Sequence, residues 1–182
     1  MKKLLTIALI AATIIFTSCG NPEVEEMVAI IDSSYVAVQK AEAKLLAIDT
    51  AEIGKMMRFN NKSLAYIQDN FKDTATKEQG IFMSDIVAVK RSFSKLNKQR
   101  ESLIDDMIYA KSQLNDLKKD VENGFTTKQN FDEYFSIEKQ AIDLFISTVE
   151  SSMIWNNSNT NRFEKMKPQI EEFIEKINKS DS

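Results

Sequence analysis

An all-α fold, drawn out as an antiparallel bundle of three long coiled-coil-like arms, follows from three observations. The 182 residues include only four Gly and two Pro, whereas sheets and βαβ units need turn residues every dozen positions or so. From Glu23 onward, apolar side chains recur three and four apart almost without interruption, which is the spacing of a helix face. Hydrophobic residues make up 43% of the chain, enough for the core of one domain over residues 23–180.

The first segment stands apart from that body. Lys2 and Lys3 precede an apolar run from Leu4 to Phe16. That run is too short for a comfortable membrane span and suits the h-region of a signal peptide over residues 1–18. It ends in Phe16-Thr17-Ser18-Cys19. This resembles a lipobox, in which a small residue precedes a Cys that receives diacylglycerol and becomes the mature N-terminus. Phe16 stands where Leu is usual. The resemblance implies lipidation of Cys19, with residues 19–22 as a short tether, and a multiply acylated Cys holds a membrane firmly.

The first arm reads Val28, Ile31, Tyr35, Val38, Glu42, Leu45, then Ile53, Met57, Asn60, Leu64, Ile67, Phe71. Between the two halves lies Asp49-Thr50-Ala51-Glu52, with Asp49 a good N-cap. Two architectures compete here. In one, residues 23–72 run as a single arm with a local stutter, giving three arms. In the other, the arm breaks near Asp49 and reverses, giving four helices. Three arms are favoured because Tyr134, Ile137, Ala141 and Leu144, with Ile104 and Ile108 opposite, form a second apolar stripe near Gly124 that an arm starting at Glu23 would cover.

The second arm has the clearest seam: Phe82, Ile86, Val89, Phe93, Leu96, Arg100, Leu103, Met107, Ala110, Leu114, Leu117, Val121. Only Arg100 breaks its heptad rhythm. Asn123-Gly124 then offers a C-terminal cap, and Thr126-x-x-Gln129 a capping box for the third arm. That arm carries Phe131, Phe135, Ile142, Phe145, Val149, Phe163, Met166, Ile170, Phe173 and Ile177 on its seam, with polar Glu138, Ser152, Asn156 and Asn159. Folding back at Gly124 sets Leu114 against Phe135, Met107 against Ile142, Leu103 against Phe145 and Ile86 against Phe163. Pro168 is expected to bend this arm or to open a final helical segment.

Composition narrows the function classes. With Lys2 and Lys3 removed, 22 basic face 27 acidic residues. That acidic excess gives no reason to expect nucleic acid as a partner. There is no His, and Cys19 is the only Cys. Intrachain disulfides and His- or thiolate-based metal sites are therefore excluded, and no metal or cofactor is expected. The paired carboxylates Glu25-Glu26, Asp105-Asp106, Asp132-Glu133 and Glu171-Glu172 are adjacent in sequence, so they splay apart on a helix. No phosphate loop or nucleophile elbow is present, so no catalytic residue is assigned and a non-enzymatic role is expected.

One candidate binding feature is a band of Lys90, Arg91, Lys95 and Lys98 with Arg100. The antiparallel register places it near Trp155 and the run Asn156-Asn157-Ser158-Asn159-Thr160-Asn161. Such a band could hold an anionic glycan or wall polymer. The favoured reading of the band is nonetheless a solvated face, partly neutralised by Glu52, Glu101 and Glu150.

The Ser-Cys-Gly-Asn junction and the Lys/Asn/Ile-rich body resemble the small helical lipoproteins of Bacteroidota, some of them labelled viral A-type inclusion proteins from generic coiled-coil similarity. The resemblance implies lipid anchoring in the cell envelope, at the outer membrane. Gly20-Asn21-Pro22 separate Cys19 from Glu23, Glu25 and Glu26, so periplasmic and surface facing both stay open. Asp49-Thr50-Ala51 and Asp73-Thr74-Ala75 resemble the short O-glycosylation acceptor motif of that phylum, which makes Thr50 and Thr74 candidate modification sites. The function expected from all this is a structural or protein-interaction module with a protein partner; a glycan-binding module is the alternative.

Overall fold

The computed structural model describes residues 21–180. They form α1 (Pro22–Leu46), α2 (Thr50–Asn70), α3 (Lys77–Glu122) and α4 (Lys128–Ser180), with no strand among the described residues.

The contacts between elements fix the topology. Along the first part of the chain, Asp32 meets Lys118 at 2.7 Å, Glu42 meets Lys111, and Met57 accepts from Asn97 at 3.8 Å. Numbers rise on one side and fall on the other, so α1 and α2 run antiparallel to α3. Against α4 the numbers rise together: Glu26 with Lys128 at 3.2 Å, Lys44 with Glu150 at 2.8 Å, Phe59 with Phe163 at 5.7 Å and Phe71 with Phe173 at 5.5 Å. Helices α1 and α2 do not pack on each other, while both contact α3 and α4. They lie end to end in one groove. The fold is three arms, and the chain does not reverse at Asp49.

The first arm is nonetheless interrupted at residues 47–49, where a continuous helix with a stutter was expected. Core positions in α1 step by three and four through Met27, Ile31, Ser34, Val38, Ala41, Leu45 and Ile48. They resume in α2 as Ile53, Met56, Asn60, Ser63 and Ile67. The step from Ile48 to Ile53 is one residue too long for a heptad. An unbroken helix would carry the second half of the seam about 100° out of the groove. Breaking the helix resets the phase. Asp49 then caps α2 by accepting from Glu52 N at 2.9 Å. The buried face of the arm is also wider than the predicted stripe: Val28, Tyr35, Met57 and Leu64 are only partly buried, beside the core positions. A helix seated between two others buries a broader arc than a two-stranded seam.

Helix α3 follows its predicted seam closely. Ile86, Val89, Phe93, Leu96, Leu103, Met107, Ala110, Leu114, Leu117 and Val121 are all buried. It ends in a Schellman motif. Phe125 N–H bonds the Asp120 carbonyl at 2.8 Å, Gly124 N–H bonds that of Val121 at 3.1 Å, and Gly124 takes φ 71°. The cap of α4 is Thr127, one residue later than predicted: its hydroxyl accepts from Asn130 N at 3.3 Å. Pro168 does not end α4, which stays helical to Ser180. Pro168 is exposed, and the buried seam runs on from Met166 to Ile170. Core packing holds that turn together despite the lost hydrogen bond. The register is as predicted within about a turn: Arg162 pairs with Asp85 at 2.6 Å, and Leu103 and Phe145 line one cleft.

The predicted reason for a third arm fails in one respect. Ile108, Tyr134, Ile137 and Leu144 are 58%, 52%, 63% and 68% exposed. The first arm covers the opposite flank, meeting α3 through Lys111 and Lys118 and α4 through Lys128 and Glu150. Of the stripe, Tyr134, Ile137, Ala141 and Leu144 on α4 are left open, whereas Ile104 on α3 is partly buried against the core.

Candidate functional site

That open flank is the most distinctive surface of the bundle. On α3, Lys111 and Lys118 turn toward α1, so Tyr109 and Asp116, each two positions earlier, fall on the other side of the seam. With Asp106, Gln113 and Asp120 they face Tyr134, Ile137, Glu138, Ala141, Leu144 and Thr148 of α4 across two adjoining clefts. The clefts hold about 270 and 260 Å³, below the roughly 300–1,000 Å³ of sites that enclose small molecules. Their floors are apolar, made by Leu103, Ala110, Leu117 and Phe145, and their rims carry carboxylates. No Lys or Arg lines either one. Asp116 is paired with Lys119 at 3.1 Å.

Farther from Gly124 the same groove changes character. The Lys95 ammonium sits 5.1 Å from the centre of the Trp155 ring, a cation–π distance. Gln99, Ser151 and Ser152 complete a small polar cleft there. The rest of the predicted basic band lies outside that cleft. Lys90 lies one heptad before Asn97, whose amide reaches Met57 in α2, so it faces the first arm. Arg91 and Lys98 are exposed, and neither shares the Trp155 cleft. Arg91, Lys95 and Lys98 are four and three apart and share the outward face of α3, and of these Lys95 is the one that meets Trp155. Two of the acids expected to offset the band are engaged elsewhere. Glu150 pairs with Lys44, and Glu52 pairs with Lys55 at 2.9 Å, raising the Lys55 pKa above its usual value, chiefly through that hydrogen bond.

The candidate modification sites are both accessible. Thr50 is the first residue of α2 and is exposed; Thr74 lies exposed in the 71–76 connection. Thr76, not Thr74, caps α3, in a reciprocal capping box with Gln79. Cys19 lies outside the described residues.

A feature only partly visible in the sequence is a polar layer within the bundle. Asn60 is fully buried, with neither side-chain polar atom hydrogen-bonded to protein. Asn159 is 5% exposed. One buried polar atom each of Asn97, Arg100, Asn156 and Asn159 likewise lacks a protein partner. Ser34 and Ser152 instead return their hydroxyls to their own helices, on the Ile30 and Thr148 carbonyls. Polar seam residues of this kind fix register at a cost in stability. Asn60→Leu is therefore expected to raise stability by about 1–3 kcal/mol, read as a higher urea midpoint with an unchanged m-value. A fall in the midpoint would show that the Asn60 amide is satisfied in solution.

Among the described residues no group of three carboxylates could hold a metal ion, and no helix is long and apolar enough to cross a membrane. No protein-family model matches the chain. No curated protein matches it. No solved structure matches it.

Proposed function

We propose that the chain is a non-enzymatic cell-envelope lipoprotein, anchored through Cys19, whose helical rod serves as a structural or protein-interaction module. The carrying observation is the place of the only Cys: it follows the apolar Leu4–Phe16 run and precedes α1 by three residues. Helix α1 starts at the Gly124 end of the rod, where Glu26 and Lys128 pair. Asp132 first, and Glu26 with it, hold the Lys128 ammonium above its usual pKa. A lipid on Cys19 therefore puts that end at the membrane. The 53 residues of α4 carry the far end about 80 Å away.

Mass spectrometry of the protein extracted from membranes tests the anchor. The expected product begins at Cys19 and carries diacylglycerol, and Cys19→Ser abolishes both processing and membrane retention. An unacylated Cys19 in the wild-type protein overturns the reading.

A second reading, capture of an anionic glycan or wall polymer, has the Lys95–Trp155 cleft in its favour. On that reading Lys95→Glu weakens retention on purified wall material, and equal retention removes it.

A further inference from the structure

We propose that the open α3–α4 groove next to the Gly124 turn receives a basic amphipathic helix from a partner protein, making a local four-helix bundle. This deepens the protein-interaction reading above and rests on it.

Three observations carry the assignment. The first is shape. The two clefts are continuous through Glu138, which lines both, and extend along α3 from Leu103 to Asp120, about 26 Å at helical rise. A helix of roughly 18 residues has that length. The second is the apolar content. Tyr109, Ile137 and Leu144 are 61%, 63% and 68% exposed, and the two α4 residues lie seven apart on one face. Solvated stripes at heptad spacing between two antiparallel helices offer the holes into which a further helix places its knobs.

The third observation is charge, and it selects the occupant. Asp106, Asp120 and Glu138 line the groove together with Asp116, which pairs with Lys119, and no basic residue lines it. A docked helix must therefore bring Lys or Arg on its flanks, because acids there would meet like charges in a partly desolvated rim. The same negative charge disfavours two other occupants. A second copy laid groove on groove would set these carboxylates against themselves, and an anionic lipid surface would be repelled.

Anisotropy of a labelled peptide tests the proposal on the full chain in detergent. The probe is an 18-residue designed helix with Leu on one face and Lys on the other; the control is the same helix with Glu in place of Lys. The Lys helix is expected to bind at least tenfold more tightly. Leu144→Glu and Ile137→Glu alter exposed side chains, so folding is retained, which circular dichroism confirms. Each is expected to weaken the Lys helix at least tenfold. Non-specific attraction to an acidic protein predicts the opposite, since both substitutions add negative charge. The combined Asp106→Lys, Asp120→Lys, Glu138→Lys variant is expected to prefer the Glu helix. Equal binding of the two helices, no binding, or indifference to Leu144→Glu overturns the proposal. So does self-association that Leu144→Glu abolishes, which would assign the groove to a second copy. None of these outcomes touches the acylation of Cys19, so failure here is separable from failure of the anchor.

Discussion

Deleting one exposed residue, Lys98, from the middle of α3 is expected to abolish cooperative folding, although its side chain fills no part of the core. The loss rotates everything after it by about 100°. Leu103, Met107, Ala110, Leu114, Leu117 and Val121, all buried, would swing out of the seam together. Each larger side chain contributes about 1.5–3 kcal/mol by burial, so the total rivals the whole stability of about 5–15 kcal/mol. Deleting Asp49 is the informative contrast. It removes an N-cap worth about 1 kcal/mol, yet it shortens the step from Ile48 to Ile53 to a proper heptad interval. The expected outcome is a folded protein whose first arm is one helix, with backbone amides around residues 47–52 gaining protection from hydrogen exchange. Urea melts and hydrogen exchange on both deletions check this. A Lys98 deletion that melts like wild type would show that heptad phase does not hold the bundle together.

Phe93→Ala is expected to cost about 3–5 kcal/mol, lowering the melting temperature by about 10 °C in a domain of this size. Phe93 is fully buried on α3 and meets the Phe163 ring at 6.4 Å; Phe163 in turn meets Phe59 of α2 edge-on at 5.7 Å. One side chain thus helps join all three arms. The loss should exceed that from any exposed ion pair, such as Lys44–Glu150 or Lys176–Glu172, whose removal is worth about 0–1 kcal/mol. Thermal denaturation of Phe93→Ala beside Lys176→Ala measures the difference directly. Equal melting temperatures would contradict the core assignment.

What the sequence made legible followed from periodicity. The α3 seam, the Asn123-Gly124 cap and the register onto α4 are local consequences of 3.5-residue spacing and of one glycine that can take positive φ. What it hid depends on a third body. A stripe such as Tyr134, Ile137, Leu144 reads identically whether the chain's own arm covers it or a partner does; only the flank chosen by Lys111 and Lys118 decides, and those pairings span the whole fold. The phase skip at Ile48–Ile53 was within reach. The step from Leu45 to Ile53 is eight, one more than a heptad, and placing Ile48 on the seam shows where the extra residue falls. Arg91, Lys95 and Lys98, four and three apart, keep to one face of α3 as their spacing requires, while Lys90 turns to the first arm; that Lys95 is the one beside Trp155 depends on the register of α4.

The three-arm bundle rests on α1 and α2 lying in line as one arm. Spin labels at Ser33→Cys and Asn61→Cys, both exposed positions, test this in a chain begun at Asn21, which holds no other cysteine. Electron–electron distance measurement is expected to give about 40 Å, the helical rise over the intervening residues. A distance near 10 Å, the spacing of two helices packed side by side, would mean that the chain turns back at Asp49, and the three-arm bundle with its open groove would fall.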